Sequence, residues 1–385
     1  MVLVDVQEPR LRVLHIVENL NRGAVENWLV RMLRHDMRRG AALDWTFYCV
    51  VGEKGQCDEE ARSVGARVVY SPAPLRHKVA FLRALRRELR RGRYDVMHCH
   101  HDLVSAVYLL ASVGLPISKR IVHIHNADDG VPTPNLLKAW LFRPLLRSVC
   151  LAMADRIVGI SNHTLDAFLA GRPRRPGRDI VHYYGVDIST FEGADKNRLT
   201  FRRALGLPDD CRILLFVGRV VPEKNPLFAL DVFAELYRLA PKTAAIFVGS
   251  GSLDDALRQR ACELKLDGVF RHLGWRDDIS AIMGCCEWFI LPRPEHPMEG
   301  FGLAVVEAQL AGLRMLLSNG IADDPLLPTA CYRRLPLAAG AKAWAAAAME
   351  LMNEQCPTRA ETMMALAASP MNMDRAFRDL VSLYA

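Results

Sequence analysis

At 385 residues, 51% apolar and 24% charged, the chain holds enough material for two ordinary domains, each with its own core. It contains no uncharged apolar run of about 18 residues, which excludes a membrane-spanning helix, and its start, MVLVDVQEPRLRVLHIV, lacks the basic, apolar and small-residue zones of a secretory leader. Ten cysteines without a Cys-x-x-Cys pair argue against a disulfide framework or a zinc site and for a reducing cytoplasm, while a net charge of +7 admits several kinds of anionic partner.

In chain order, LRVLHIV, WTFYCVV, YDVMHC, RIVHIH and RIVGIS are the predicted strands of the first half. Between the first two, Val25, Trp28, Leu29, Met32 and Leu33 fall on one helix face. RILLFVGR, TAAIFVGSG, VFRHLG, EWFILP and RMLLSNG repeat the pattern in the second half. Strands alternating with helix-period segments predict α/β architecture with parallel sheets and crossover helices. The Pro-, Gly- and charge-rich segment 171–212 carries the boundary, near Asp187 to Phe191. Residues 1–188 are therefore expected to form one Rossmann-like domain and 189–366 a second. Residues 367–385 form a terminal helix, and AKAWAAAAMELMN reads as a plain helix. Two doubly wound domains predict a ligand cleft at the carboxyl ends of both sheets.

PMEGFGLAVVE, from Pro297 to Glu307, lies between the predicted strand EWFILP and the predicted helix LAVVEAQLAG. Gly300 and Gly302 thus sit in a turn feeding a helix N-terminus, where free backbone N–H groups and the dipole favour a phosphate. Glu307 offers the two acceptor oxygens that a ribose diol requires. Glu299, just before the turn, faces a group attached to the phosphate. Together these describe a nucleotide sugar. LLFVGRVVPEKNP supplies counter-charge: Gly218 ends a strand, and Arg219 and Lys224 follow without P-loop spacing. They suit a diphosphate as a planar fork and a point charge. Gly249 and Gly251 form a third strand-to-helix turn, which reads equally as close approach to a ligand or as tight packing. Gly274 and Trp275 are candidates to border a base. No Asp-x-Asp triplet occurs, so no metal is expected on the diphosphate; Arg219, Lys224 and the helix N-terminus would neutralise it.

In the first half, NRGAVENW places Gly23 between strand and helix, facing the predicted cleft. His98, His100 and His101 end one strand, and His123 and His125 end the next. Strand alternation puts His98 with His100 on one face, and His123 with His125 likewise. Metal binding is one reading of this cluster, but no defined ligand set is evident in the sequence; core packing is the other. His125 with Asn126 is the best placed to touch a sugar, with His100 as a further acceptor-side candidate. LRHKVAFLRALRRELRRGRYD sets Leu82, Leu85 and Leu89 on one helix face and crowds Arg83, Arg86, Arg87, Arg90 and Arg91 around the rest. It reads either as a solvated surface helix or as a dock for an anionic membrane. Aromatics are not interleaved with the arginines, so nucleic acid is not an expected partner.

NRGAVE, HIHNA, GISNHT, YYGVD, GRVVPEKNP, VGSGSL, HLGWRDDI and EGFGLAVVEAQLAG, in that order from about Leu11 to Asn319, resemble the retaining glycosyltransferases of family 4. Within that family they resemble the enzymes of bacterial exopolysaccharide and capsule assembly. The resemblance implies a GT-B fold: an acceptor-binding and a nucleotide-sugar-binding Rossmann-like domain facing a central cleft, with a C-terminal helix that crosses back to the first. It implies Arg219 and Lys224 on the donor diphosphate, Glu307 on the ribose and Glu299 on the donor sugar. Phe301 and Gly302 would present backbone N–H groups, His125 would lie beside the transferred sugar, and Gly274 and Trp275 would meet the base. The expected reaction is metal-independent and retaining, from a nucleoside diphosphate (UDP) donor to a carbohydrate or lipid-linked saccharide, at the cytoplasmic face of the membrane. An epimerase or phosphorylase of the same fold, or a catalytically silent nucleotide-sugar-binding partner of an assembly complex, is the alternative. The chain departs from the family pattern at Ala24, where a second glycine is common, and at Tyr184, where Asn is usual. It also departs in the proline-rich lead RPEHPMEGFG and at Leu313-Arg314.

Overall fold

The computed structural model describes residues 10–127 and 136–385. The leader reading of the first nine residues falls outside that range. Two units result: Met1–Gly185 with Met373–Ala385, and Val186–Asn372. The terminal helix Met373–Ser382 thus belongs to the first unit.

The first unit is built on β1 (Leu11–Val17), β2 (Leu43–Cys49), β3 (Arg67–Tyr70), β4 (Val96–Cys99), β5 (Lys119–Ile124), β6 (Arg156–Gly159) and β7 (Asp179–Val181), in the order β3-β2-β1-β4-β5-β6-β7. The second has β8 (Arg212–Val217), β9 (Thr243–Val248), β10 (Phe270–His272), β11 (Trp288–Leu291), β12 (Arg314–Ser318) and β13 (Tyr332–Leu335), in the order β10-β9-β8-β11-β12-β13. All strand pairs are parallel. Each sheet is therefore doubly wound, reversing direction between β1 and β4 and between β8 and β11. Such reversals leave a crevice at the strand carboxyl ends.

Strands β3, β7 and β13 are absent from the sequence prediction. All three are sheet edges, short and only partly buried. They lack the continuous apolar run that marks a strand buried on both faces. In the first unit the two sheet faces differ in chemistry. Leu14, Ile16, Met97, Cys99, Val122 and Ile124 point into an apolar core with Phe81, Leu85, Leu89 and Tyr108. Alternation sends His15, His98, His100, His123 and His125 to the opposite face, where all are buried. Trp28, on the helix Ala24–Arg38, packs against five of that face's aromatic groups: His100, His123, His125, His182 and Tyr184.

Two local expectations change. Cys331 and Cys356 are joined, with Cα atoms 5.6 Å apart. Their separation of 25 residues gave no spacing signal; β13 and the helix Gly340–Met352 bring them together. On the basic helix Lys78–Gly92, the buried stripe is Phe81, Leu85 and Leu89, and Arg83, Arg87, Arg90 and Arg91 are exposed. Arg86, however, is not a solvated charge. Its Nη1 donates to the carbonyls of Ala111 (2.9 Å) and Val113 (2.6 Å), capping the end of the helix Ser105–Ala111. Glu88 pairs with Arg67 and accepts from Tyr94 (2.7 Å) rather than offsetting its own helix's arginines. No helix among the described residues is long and apolar enough to cross a membrane.

Hydrogen bonds from a charged donor contribute about 1.5–3 kcal/mol. Arg86→Ala should therefore lower unfolding stability by about that amount in urea melts, whereas Arg87→Ala should stay within about 0.5 kcal/mol of the parent.

Candidate functional site

In the second unit, two loops leave neighbouring strands at the switch point. After β8 come Gly218 and the exposed Arg219, then Lys224 at the end of a short 3-10 turn, Pro222–Lys224. After β11 come Pro292, Arg293 and the loop to Gly302, which is the N-cap of the helix Leu303–Leu310. Gly302 adopts φ +85, a left-handed conformation that favours glycine. A Cβ there would stand 3.4 Å from Glu299 Cγ, so the Glu299 side chain folds over this turn.

Lys224 Nζ and Glu299 Oε2 are 2.5 Å apart, and Arg293 Nη1 lies 3.1 Å from the same oxygen. The three side chains are only 15%, 14% and 11% exposed. Burial pushes the Lys224 ammonium below its ordinary pKa, and Glu299 only partly restores it. Burial pushes Glu299 upward, but Lys224 and Arg293 together bring it below the usual carboxylate range. Arg219 acts on both electrostatically. Three cations against one carboxylate leave two positive charges at the head of a helix that has no side-chain cap. That is the complement of a diphosphate.

Arg293 was not among the sequence candidates. A signal exists, since Arg293 stands two residues beyond the end of β11, as Arg219 does beyond the neighbouring β8. Its Nε also donates to Pro297 O (2.9 Å), bracing the proline-rich loop. Gly249 and Gly251 pack closely on the chain itself: Cβ atoms there would fall 1.9 Å from Gly218 O and 2.2 Å from Val220 O. These glycines let the β9 turn seat against the β8 loop. Gly274 lies beside the same turn, its carbonyl accepting from Gly249 N (2.8 Å), and Trp275 follows it, 40% exposed. Gly300 and Phe301 lie in the Glu299–Gly302 turn, with the Phe301 ring buried. Glu307 is buried on the helix Leu303–Leu310, 8% exposed.

In the first unit, His125 closes β5, and its backbone N–H donates to Asp102 Oδ1 (2.8 Å). Asn126 Nδ2 donates to the other oxygen (2.7 Å). His125 Nδ1 is 2.7 Å from the hydroxyl of Tyr184. His100, after β4, lies 3.0 Å from His125. Burial depresses His125 to about 3, so its ring is neutral at neutral pH. Gly23 is the extended N-cap of the helix Ala24–Arg38, and a Cβ there would strike Glu26 Oε2 at 2.2 Å. Glu26 was likewise missed. Burial raises its carboxyl to about 7, with Glu18 adding to the shift. Its position in the first helical turn after a glycine loop was the available signal.

Residues 25–190 match the family model described as Glycosyltransferase Family 4, and residues 197–323 match Glycosyl transferases group 1. Together the two matches span most of the chain. This protein is a family 4/group 1 glycosyltransferase. The group 1 match encloses Arg219, Lys224, Arg293, Glu299 and Glu307; the family 4 match encloses Glu26 and the whole strand-end histidine set. The glycosyltransferase is 26% identical over 344 residues to EpsF of Bacillus subtilis (strain 168), named as a glycosyltransferase, covering 87% of this chain and 86% of that one. It is 27% identical over 241 residues to the Escherichia coli UDP-Gal:alpha-D-GlcNAc-diphosphoundecaprenol alpha-1,3-galactosyltransferase, covering 60% of this chain and 59% of the other. Its fold is that of Anabaena Alr3699/HepE, crystallised with UDP and glucose: TM-score 0.78, 17% identity, 97% of this chain and 99% of that one. Both chains are GT-B proteins with two parallel-sheet Rossmann-like domains.

The Glu26 carboxyl gives this glycosyltransferase a defined pH dependence. Between its ordinary pKa of 4.5 and about 7, the unfolded chain ionises at Glu26 while the folded chain keeps the proton. Stability from this group is complete below pH 4.5 and is lost as pH rises to about 7. Glu26→Gln should flatten that decline in melting temperature measured across pH 4.5–7.5; an unchanged slope would contradict the assignment.

Proposed function

We propose that this glycosyltransferase moves a sugar from a nucleoside diphosphate donor, with UDP as the nucleotide, to a carbohydrate or lipid-linked saccharide acceptor in cell-surface polysaccharide assembly. The observation that carries the reading is the buried Lys224–Glu299–Arg293 cluster beside Arg219 at the β8/β11 switch point. Two surplus positive charges there suit the departing diphosphate without a metal bound to it, and act most strongly where charge develops. The UDP in the Anabaena structure, the UDP-Gal in the Escherichia coli relative's name and the likeness to EpsF support nucleotide and pathway class.

In this reading Lys224 and Arg219 hold the diphosphate, Glu299 the sugar hydroxyls, Glu307 the ribose and the Gly274–Trp275 loop the base. His125 stands beside the transferred sugar, and Asn126 and His100 belong to the acceptor side. The bond between the anomeric carbon and the diphosphate oxygen breaks as the acceptor oxygen bonds from the same face. The leaving diphosphate accepts the acceptor's proton, so configuration is retained without a side-chain general base.

The place of action is the cytoplasmic face of the membrane. The exposed Arg83, Arg87, Arg90 and Arg91 adjoin exposed apolar groups: Arg86 of the same helix reaches the segment that carries Leu110 and Val113, 48% and 54% exposed. Basic residues near an anionic surface contribute about 1 kcal/mol each, and the apolar groups add burial in the headgroup layer.

A thermal-shift screen of nucleotide sugars should single out UDP-linked donors, because a ligand of the native state raises its melting temperature. Arg219→Ala and Lys224→Ala should each cut kcat/KM for donor about 10²–10³-fold; intact turnover in either variant sinks the assignment. Vesicles of anionic lipid should sediment the parent protein in a salt-sensitive way and release an Arg83/Arg87/Arg90→Glu variant, with Arg86 left in place to keep the fold. Equal recovery of both in the supernatant refutes the membrane reading.

A further inference from the structure

The buried face of β1, β4 and β5 carries a connected set of imidazoles that the transfer reaction does not use in full. His15 Nδ1 lies 3.1 Å from His100 Nε2, and His100 Nδ1 lies 3.0 Å from His125 Nε2. His98 Nε2 lies 3.1 Å from His123 Nδ1. One ring nitrogen each from His100, His123 and His125 lies within 4.8 Å of the others. The Nε2 of His123 is wholly buried and has no hydrogen-bond partner. We propose that His100, His123 and His125 form a binding site for a borderline-soft divalent transition ion of the zinc, cobalt or nickel class.

Ligand chemistry and the outer hydrogen bonds both support this set. A metal-bound imidazole needs a partner for its other nitrogen, which fixes the tautomer and the ring. If His125 binds through Nε2, its Nδ1–H donates to the Tyr184 hydroxyl at 2.7 Å. If His100 binds through Nδ1, its Nε2–H donates to His15 Nδ1. If His123 binds through its unpartnered Nε2, its Nδ1–H donates to His98 Nε2, and His98 Nδ1 in turn meets the Tyr384 hydroxyl at 2.9 Å. Each imidazole keeps one proton throughout, so binding selects tautomers and releases none. The ion takes the place of the single proton between His100 and His125, whose nitrogens already stand near the ligand–ligand spacing of a tetrahedral site.

A rival triad, His15, His98 and His100, also brings its nitrogens within 4.8 Å. There, His15 as a ligand has no partner for its Nε2, whereas in the first triad each ligand has a partner for its second nitrogen; the His15 Nε2–H stays unpartnered in both. Charge favours the same choice, because the Asp102 carboxylate is tied to the backbone of His125. Three neutral nitrogens and no carboxylate oxygen exclude magnesium and calcium, which require oxygen ligands. Three protein ligands leave a fourth position open to an oxygen ligand. This ion is not the counter-charge of the donor diphosphate, which the second unit's cations address. It draws on His100 and His125, which the proposed function sets at the sugar and the acceptor. Its test reads ion binding rather than turnover, so failure of one is told apart from failure of the other.

The test uses the full-length protein, stripped with a chelator and titrated with Co²⁺ and Zn²⁺. The proposal predicts one ion per chain, the visible absorption of four-coordinate Co²⁺, and displacement by Zn²⁺. X-ray absorption of the zinc form should show three imidazole nitrogens at about 2.0–2.1 Å. Because that measurement uses the unaltered chain, it decides even if a variant fails to fold. His123→Gln should abolish stoichiometric binding, and His15→Gln, which removes only an outer partner, should weaken it about 10–100-fold. Undiminished binding in His123→Gln, as exposed groups such as His77 or His296 would give, overturns the proposal. So does abolition by His15→Gln but not His123→Gln, fewer than three imidazoles at the ion, or no stoichiometric binding at all.

Discussion

The second unit's chemistry hangs on one interaction, the largely buried contact of Lys224 with Glu299. Two charges held mostly out of water are each costly, and each lowers the cost of the other. Arg293 shares the same carboxylate oxygen, so Glu299 is bound by two cations and stays ionised despite its burial. The carboxylate thereby orders two loops that come from different strands. With Arg219 added, the cluster is over-supplied with positive charge, and that surplus is what a dianionic ligand would complete. The loop between Arg293 and Glu299 is held as a consequence: Glu299 N–H donates to Gly320 O (2.8 Å), and Ser318 Oγ donates to Arg293 O (2.5 Å).

The two units use the same doubly wound frame for opposite electrostatics. At the β8/β11 switch the strand ends present charge. At the β1/β4 switch and along β5 they present neutral imidazoles, kept neutral by burial and stacked among Trp28, Trp45 and two tyrosines. Alternation along three parallel strands suffices for this division, with aliphatic side chains to one face and histidines to the other. Tyr184 is built into that lattice through His125.

Most of the fold was legible in the sequence, because buried parallel strands announce themselves as apolar runs. All ten predicted strands are present; the three that escaped are edges, where one side of the strand faces away from the sheet and the apolar run shortens to "RVVY", "DIV" or "YRRL". The second unit's charge cluster was legible as residue types at strand ends: Arg219, Lys224, Glu299 and the Gly300–Gly302 turn stand together at one switch point. What escaped depended on tertiary neighbours. Arg293 gains its role only when the proline-rich loop folds it onto Glu299, and Glu26 only when its carboxyl tucks against Gly23. Arg86 looked like its neighbours until the end of the next helix supplied carbonyls for it. The Cys331–Cys356 pair had no spacing to betray it, and the close packing of Gly249 and Gly251 on the β8 loop shows only once that loop is placed beside them.

The proposed function divides labour within one ion cluster, with Lys224 on the diphosphate and Glu299 on the sugar. Calorimetric titration of Glu299→Gln with UDP, and then with the UDP-sugar that most stabilises the parent protein, tests it most directly. UDP should bind the variant at least as tightly as the parent, since a carboxylate has been removed from a cationic site, while the affinity that the sugar adds should be lost. Equal losses for UDP and UDP-sugar, or a sugar increment that survives the substitution, would contradict it.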